Sequence, residues 1–257
     1  MDNITDRILC IGDNWTAGTI ENDVPVDQMV SDLFPLWPEL LAEKMNMGYV
    51  NLSCGGRGNE WIYNRVIDNW NGEKIVIVLW AQWDRWDFCR ETFILNQFSK
   101  GTSIGLQSNK KEILARRKMV QDALLKADFV SAKHNLEKSM RWMYSLQNFC
   151  KVNNIKYIQG QTFYPSITTA GWGGLQHFAE NKIHTHIDED NFIGWPIYPK
   201  LGGFTMSDKL NEVDPEMKDL RVSDDDGTYR WGKTNPNEDG HKLIAKVLYD
   251  YYQNLYG

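Results

Sequence analysis

The chain has 257 residues, a formal net charge of −6, and 42% hydrophobic residues. This length allows one large α/β domain or two small ones, and the acidic balance argues against a general binder of nucleic acid or lipid surfaces. The N-terminus lacks the pattern of a signal peptide, and no apolar stretch reaches the roughly 20 residues that span a bilayer. We therefore expect a cytoplasmic protein without nucleic-acid or membrane partners.

Apolar runs and helical patterns alternate through the first part of the chain. A buried strand over residues 7–12 ends at a glycine, and a continuous run rich in β-branched residues over 74–80 is the strongest strand signal. Between them we predict a helix over 37–47, a strand over 48–53, and a helix over 59–70 that Asn59 caps. Residues 84–108 have no clear periodicity.

The second part of the chain contains fewer regular patterns. We predict helices over 110–125 and 129–152, a strand over 155–159, and an amphipathic helix over 237–256. Residues 160–234 are rich in Gly, Pro, Trp and Asp, and we interpret them as a long insertion of loops and short helices. Strands that alternate with helices predict a parallel sheet covered on both faces, with ligands beyond the carboxyl ends of its strands.

Four short blocks lie next to these predicted strands and the last helix. They are Ile8 to Gly18, Asn51 to Asn59, Val76 to Asp84, and Asn235 to Ala245. In this order and rough spacing they resemble the four blocks of the SGNH (GDSL-like) hydrolases. The resemblance implies a flavodoxin-like three-layer α/β/α sandwich with a parallel sheet. The order and rough spacing of the blocks hold from residue 8 to 250. We expect residues 1–257 to form a single domain, with insertions at about 84–108 and 160–234.

The resemblance also implies which positions carried the chemistry. Asn14, Trp83 and Asn235 occupy the places of the family's nucleophilic serine, oxyanion asparagine and histidine. An amide side chain is neither a nucleophile nor a base that can replace serine and histidine. The candidate catalytic positions are therefore Asp13, Asn14, Asn235 and His241, all of doubtful activity. The candidate oxyanion or ligand-binding residues are Gly55, Gly56, Asn59, Trp83 and Asp84.

Two functions remain open at this point. The first is a catalytically degenerate binding protein, or a structural or accessory protein of a phage particle. The second is an active esterase, for example one that removes O-acetyl groups from carbohydrates, with a rearranged site. Glu238 and His241 have a spacing that one turn of helix could bring together, and Ser53 is a candidate substitute nucleophile.

The partners follow from the same resemblance. The patterns Gly-Asp-x-Trp-Thr-Ala-Gly and Trp-x-x-x-Asp-Arg are similar to those of SGNH-like proteins encoded by bacteriophages. We therefore expect either a protein assembly, with association with the virion, or a carbohydrate ligand. Clustered aromatic rings in residues 160–234 favour contact with another chain. His184 and His186 could share a face of an extended strand, but we expect no metal site and no cofactor.

Overall fold

A computed structural model describes residues 6–17, 34–88, 91–94, 119–120, 122–123, 126, 131–164, 172–216, 218–221 and 235–257. In this part of the chain a central sheet has five parallel strands in the order β2-β1-β3-β6-β7. They are β1 (Arg7–Gly12), β2 (Gly48–Asn51), β3 (Ile75–Trp80), β6 (Lys156–Gln161) and β7 (Phe192–Ile193). β4 (Arg85–Phe88) and β5 (Glu91–Ile94) form a separate antiparallel hairpin. The predicted parallel sheet is confirmed.

Helices cover both faces of the sheet, as the sequence predicts. They are α1 (Asn14–Ala17), α2 (Trp37–Met45), α3 (Asn59–Asn69), α4 (Ala132–Val152), α5 (Trp172–Glu180), α6 (Met206–Val213) and α7 (Glu238–Tyr256). One core cluster contains residues of α3, α4 and α5, and the other contains residues of α2, α6 and α7. The predicted three-layer α/β/α architecture is confirmed. In the described residues, no helix is both long enough and apolar enough to cross a membrane.

Strand β3 shows why its sequence is apolar without interruption. All six of its residues are buried. Val76 and Val78 belong to the core cluster with α3 and α4, whereas Ile75 and Ile77 belong to the cluster with α2 and α7. Because successive side chains of a strand point to opposite faces, a strand covered on both faces must be apolar at every position.

Two predicted boundaries differ from the structure for local reasons. Helix α2 ends at Met45 because Asn46 adopts a left-handed conformation with φ of 50°. The capping residue of α3 is Gly58, not Asn59, and no side chain of its own segment caps this helix. Instead, the Asp87 carboxylate on β4 accepts the N–H groups of Gly58 at 2.9 Å and Trp61 at 3.0 Å. A Cβ at Gly58 would lie 2.6 Å from an Asp87 oxygen, so glycine permits this approach.

Residues 84–108, which we expected to be irregular, contain a hairpin, and residues 160–234 contain short helices as predicted, together with one strand that was not. Within residues 84–108 the described part forms the β4–β5 hairpin. Within residues 160–234 the described part supplies α5, α6 and β7, and β7 is the fifth strand of the central sheet. The predicted helix over 110–125 lies mostly outside the described residues.

Most aromatic rings of the 160–234 segment pack inward. Phe178, Phe192 and Tyr198 are buried. Phe163, Trp195 and Phe204 are partly buried against the two core clusters, and the Trp172 side chain lies outside the described part. Tyr164 remains 37% exposed. Six of these rings thus pack on the domain, as we expected for part of the set, and contact of the remaining rings with another chain stays a prediction.

Candidate functional site

The first two sequence blocks meet at the carboxyl end of the sheet. Asn14 follows β1 and opens α1, and Gly56 lies in the loop that follows β2. The side-chain oxygen Oδ1 of Asn14 accepts the backbone N–H of Gly56 at 2.5 Å. Gly56 has a φ of 75°, a conformation that favours glycine. The structure thus brings together the two positions that the sequence resemblance assigns to the nucleophile and the oxyanion donor.

This hydrogen bond changes what the crevice can do. In a serine esterase the glycine N–H stabilises the negative oxygen that develops in the transition state. Here the half-buried Asn14 side chain already occupies that donor. The neighbouring Gly55 is partly exposed in the same loop.

Asp13 forms an ion pair with Arg85, which was not among the candidate site residues. Both side chains are buried, and Oδ2 of Asp13 lies 3.6 Å from Nη1 of Arg85. The Asp13 carboxylate also accepts the N–H of Trp15 at 3.2 Å. Burial raises the pKa of Asp13, and the Arg85 charge offsets part of that rise. Arg85 also donates to the carbonyl of Arg57 at 3.0 Å, so the pair ties β1 to the hairpin and the glycine loop.

The Trp83 side chain points into the core. It is fully buried, and its indole N–H donates to Oε1 of Gln161 at 3.0 Å. Gln161 in turn donates to the carbonyls of Trp80 at 3.2 Å and Ala81 at 2.9 Å. The Trp83 indole N–H is therefore already engaged within the core. Asp84 is also buried, and its charge offsets part of the fall in the pKa of Lys138 that burial causes.

The Asn59 side chain binds the backbone of the loop that follows β3. Its Oδ1 accepts the N–H of Ala81 at 2.9 Å, and its Nδ2 donates to the Ala81 carbonyl at 3.3 Å. Nδ2 also lies 3.2 Å from Oγ of Ser139 on α4. With 1% of its surface exposed, Asn59 contacts the backbone after β3.

The last block stabilises the start of α7. Asn237 caps this helix by accepting the N–H of Gly240 at 3.0 Å, and Asn235 is buried two residues earlier. His241 is 2% exposed, and its Nδ1 accepts the backbone N–H of Trp37 at 3.2 Å. Burial lowers the pKa of His241 to about 3, so the imidazole is neutral near pH 7.

The proposed pairing of Glu238 with His241 does not match this geometry. Glu238 pairs instead with Lys242 at 2.8 Å, and the side chains of both residues are about half exposed. His241 faces the first turn of α2 rather than Glu238. Their i, i+3 spacing permits a contact, but the two side chains take different directions.

Ser53 and the pair His184 and His186 are the remaining candidates from the sequence. Ser53 is 6% exposed, and its hydroxyl has no hydrogen-bond partner within the described residues. His184 and His186 lie in a 3₁₀ turn over Lys182–His186 rather than on an extended strand. Among the residues that the structure describes, no three His, Cys, Asp or Glu side chains are grouped so as to hold a metal ion.

Sequence reasoning missed Arg85, Gln161 and Asp87, which position the loops at this end of the sheet. A weak signal was present for Arg85, since it directly follows the third block. A buried guanidinium needs a carboxylate partner, which Asp13 supplies. Nothing in the local sequence indicates which backbone Gln161 and Asp87 would reach.

Comparison with known proteins supports the fold. No family model matches the sequence, and no curated protein matches it. An α/β hydrolase enzyme from the metagenome of Lake Arreo, Spain, has 10% identity and a TM-score of 0.51, with 98% of this chain and 97% of that chain covered. A protein described as a GDSL-like lipase, from Parabacteroides merdae, has 11% identity and a TM-score of 0.50, with 97% and 96% covered. At these identities the likeness shows the fold of GDSL/SGNH-like hydrolases.

Proposed function

We propose that the chain is an SGNH-hydrolase-like protein that has lost ester hydrolysis and acts by binding. One observation carries the proposal. Asn14, at the position of the serine, accepts the Gly56 N–H at 2.5 Å. The residue that should attack the substrate instead occupies the donor that should stabilise its oxyanion.

Magnitudes support loss of activity over reduced activity. Removal of one oxyanion donor lowers kcat by about 10² to 10³. Removal of the nucleophile or its base from a triad lowers it by about 10⁶, and such losses are not additive. Asn14 and Asn235 replace both groups at the family positions, so no single further change restores the reaction.

The rearranged esterase is the weaker hypothesis. It requires a base near a hydroxyl, and the two substitutes we considered are engaged elsewhere. His241 is buried and accepts the N–H of Trp37, while Glu238 pairs with Lys242. Ser53 is buried, so a substrate would need a local opening to reach it.

We extend the proposal to a place in a phage particle, as a structural or accessory component. The support is the sequence pattern Gly-Asp-x-Trp-Thr-Ala-Gly at residues 12–18. Mass spectrometry of purified particles tests this extension. Recovery of the chain in fixed stoichiometry supports it, and recovery in the lysate alone contradicts it.

Turnover measurements test loss of hydrolysis. The purified chain, its Asn14→Ala variant and an authentic serine esterase are assayed with p-nitrophenyl acetate and with an O-acetylated xylo-oligosaccharide. We expect the chain and Asn14→Ala to match the buffer rate. A turnover rate above that of buffer would establish the rearranged esterase instead, provided that Ser53→Ala or His241→Asn abolishes it.

A further inference from the structure

An open groove of about 410 Å³ lies between α4 and the β4 strand. Its walls include Trp86 from β4 and a row of α4 residues, namely His134, Glu137, Lys138, Arg141 and Trp142. Their spacing of three or four residues places them on one face of the helix. None of the lining residues belongs to the loops that hold Asn14 and Gly56. The volume is within the range of small-ligand sites.

Two tryptophans form the apolar walls, and neighbouring side chains fix both. The Trp86 indole N–H donates to Oδ1 of Asn135 at 2.6 Å, and Nζ of Lys138 lies 4.1 Å from the ring centroid. Trp142 packs on Tyr63 with ring centroids 5.0 Å apart. Both tryptophans are half-buried. Rigid aromatic walls suit the flat C–H faces of sugar rings, because little side-chain entropy is lost when a ligand packs against them.

The rim of the groove is basic although the chain as a whole is acidic. Glu137, the acidic residue of the lining, lies 3.8 Å from Arg141 and 4.0 Å from Lys133. The Arg141 side chain is 69% exposed, so its guanidinium is open to solvent. Glu137 is thus one carboxylate between two cations, whereas the carboxylates of Asp84, Asp87 and Glu60 act on Lys138.

Arg141 carries this charge more dependably than Lys138. Burial lowers the pKa of Lys138 to about 7, although the charges of Asp87, Asp84 and Glu60 offset part of the shift. Lys138 also donates to the Arg85 carbonyl at 2.5 Å. An arginine remains protonated, and its planar fork fits a carboxylate through two parallel hydrogen bonds.

We propose that this groove binds a short saccharide that carries a carboxylate. The sugar rings pack against Trp86 and Trp142, and the carboxylate binds Arg141. Successive side chains of β4 connect this groove to the crevice, since Arg85 contacts Asp13 and Trp86 lines the groove. The proposal does not depend on whether the crevice hydrolyses esters.

The test compares two ligands that differ in the carboxylate. Titration calorimetry of the full-length chain is performed with trigalacturonate and with galactotriose, which has a hydroxymethyl group in place of each carboxylate. We expect trigalacturonate to bind about tenfold more tightly, a difference of about 1.4 kcal/mol, because Arg141 adds a charge-assisted hydrogen bond. Arg141→Gln should remove this preference and leave the affinity for galactotriose unchanged.

A matched control separates a specific contact from a general effect of charge. Lys246 on α7 has a side chain that is 65% exposed and forms an i, i+4 pair with Asp250, so Lys246→Gln removes a comparable surface cation. It should leave both affinities unchanged. Trp142→Phe should keep the fold and weaken both ligands together.

Three outcomes would overturn the proposal. Equal affinity for the two saccharides would remove the role of the carboxylate. Equal effects of Arg141→Gln and Lys246→Gln on the affinity for trigalacturonate would show that the preference arises from the net charge of the protein. No detectable binding of trigalacturonate at millimolar concentration would exclude the site. The turnover assay is a separate readout, so failure of this proposal is distinguishable from failure of the proposed function.

Discussion

Polar side chains at the carboxyl edge of the sheet mainly bind backbone groups. Asn14 binds the N–H of Gly56, Asn59 binds both polar groups of Ala81, and Gln161 binds the carbonyls of Trp80 and Ala81. In an active esterase several such groups at this edge remain open for the substrate. Here these side chains connect the loops to one another, and such contacts are compatible with the proposed loss of hydrolysis.

His241 illustrates a residue whose role depends on burial. Its neutral Nδ1 accepts the N–H of Trp37, and the folded state keeps its pKa near 3. The unfolded chain has an ordinary histidine with a pKa of about 6.5. Between these two values the unfolded state binds more protons, so the stability should fall as the pH decreases from about 6.5 towards 3.

We therefore predict a specific loss of stability in acid. Between pH 6.5 and pH 4, His241 should contribute a decrease of about 3 kcal/mol in the free energy of unfolding, because each pKa unit corresponds to about 1.4 kcal/mol. His241→Asn places an amide that can accept the same N–H without titrating. Urea unfolding at several pH values should show a shallower acid slope for this variant. Parallel slopes for the two proteins would contradict the account.

The sequence predicted some residue positions of the site but not their partners. Asn14 and Gly56 lie within recognisable blocks, and the structure brings them into contact. An asparagine that caps a helix and one that braces a loop 22 residues away have the same local pattern, so Asn59 was misassigned as a cap. Trp83 reaches Gln161 across 78 positions and His241 reaches Trp37 across 204. Such pairs exist only once the strands are assembled.

At the scale of elements, the β4 strand links three parts of the structure. Arg85 binds Asp13 at the end of β1, and Asp87 caps α3. Trp86, which lies between them, lines the groove beside α4. No periodic pattern marks these residues, because four-residue strands in a hairpin are too short to show clear alternation. The positions of the loops at the crevice therefore depend on β4, which the sequence pattern did not predict.

The cap of α3 provides a test of this link. Asp87→Ala removes a carboxylate that accepts two N–H groups at the helix N-terminus. We expect a loss of about 1–2 kcal/mol in the free energy of unfolding, from the lost cap and from the lost charge near the helix dipole. Equilibrium unfolding in urea measures the change.

Asp68→Ala is the matched control for this cap. Asp68 is an exposed aspartate near the C-terminal end of the same helix. A negative charge there is unfavourable to the helix dipole, so its removal should be neutral or slightly stabilising. Equal destabilisation by both variants would show that Asp87 does not act as a cap.

For the whole molecule, the sequence predicted the architecture better than its details. Apolar strands that alternate with helical patterns predicted the parallel α/β/α sandwich, and the central sheet has five parallel strands in the described residues. Strand β7 was missed because it consists of two residues, Phe192 and Ile193. Their pairing with β6 depends on the tertiary structure and not on a local sequence pattern. The same physical limit explains why residues 160–234 looked like loops.

Covalent labelling most directly tests the central claim, that this fold no longer provides an activated serine. The purified full-length chain is incubated with a fluorophosphonate probe, and intact mass and peptide mapping follow the adduct. We predict no adduct on the chain under conditions that label an authentic serine esterase completely, because Asn14 replaces the nucleophile and occupies the Gly56 N–H. Stoichiometric labelling at one serine, with Ser53 the first to examine, would contradict this account.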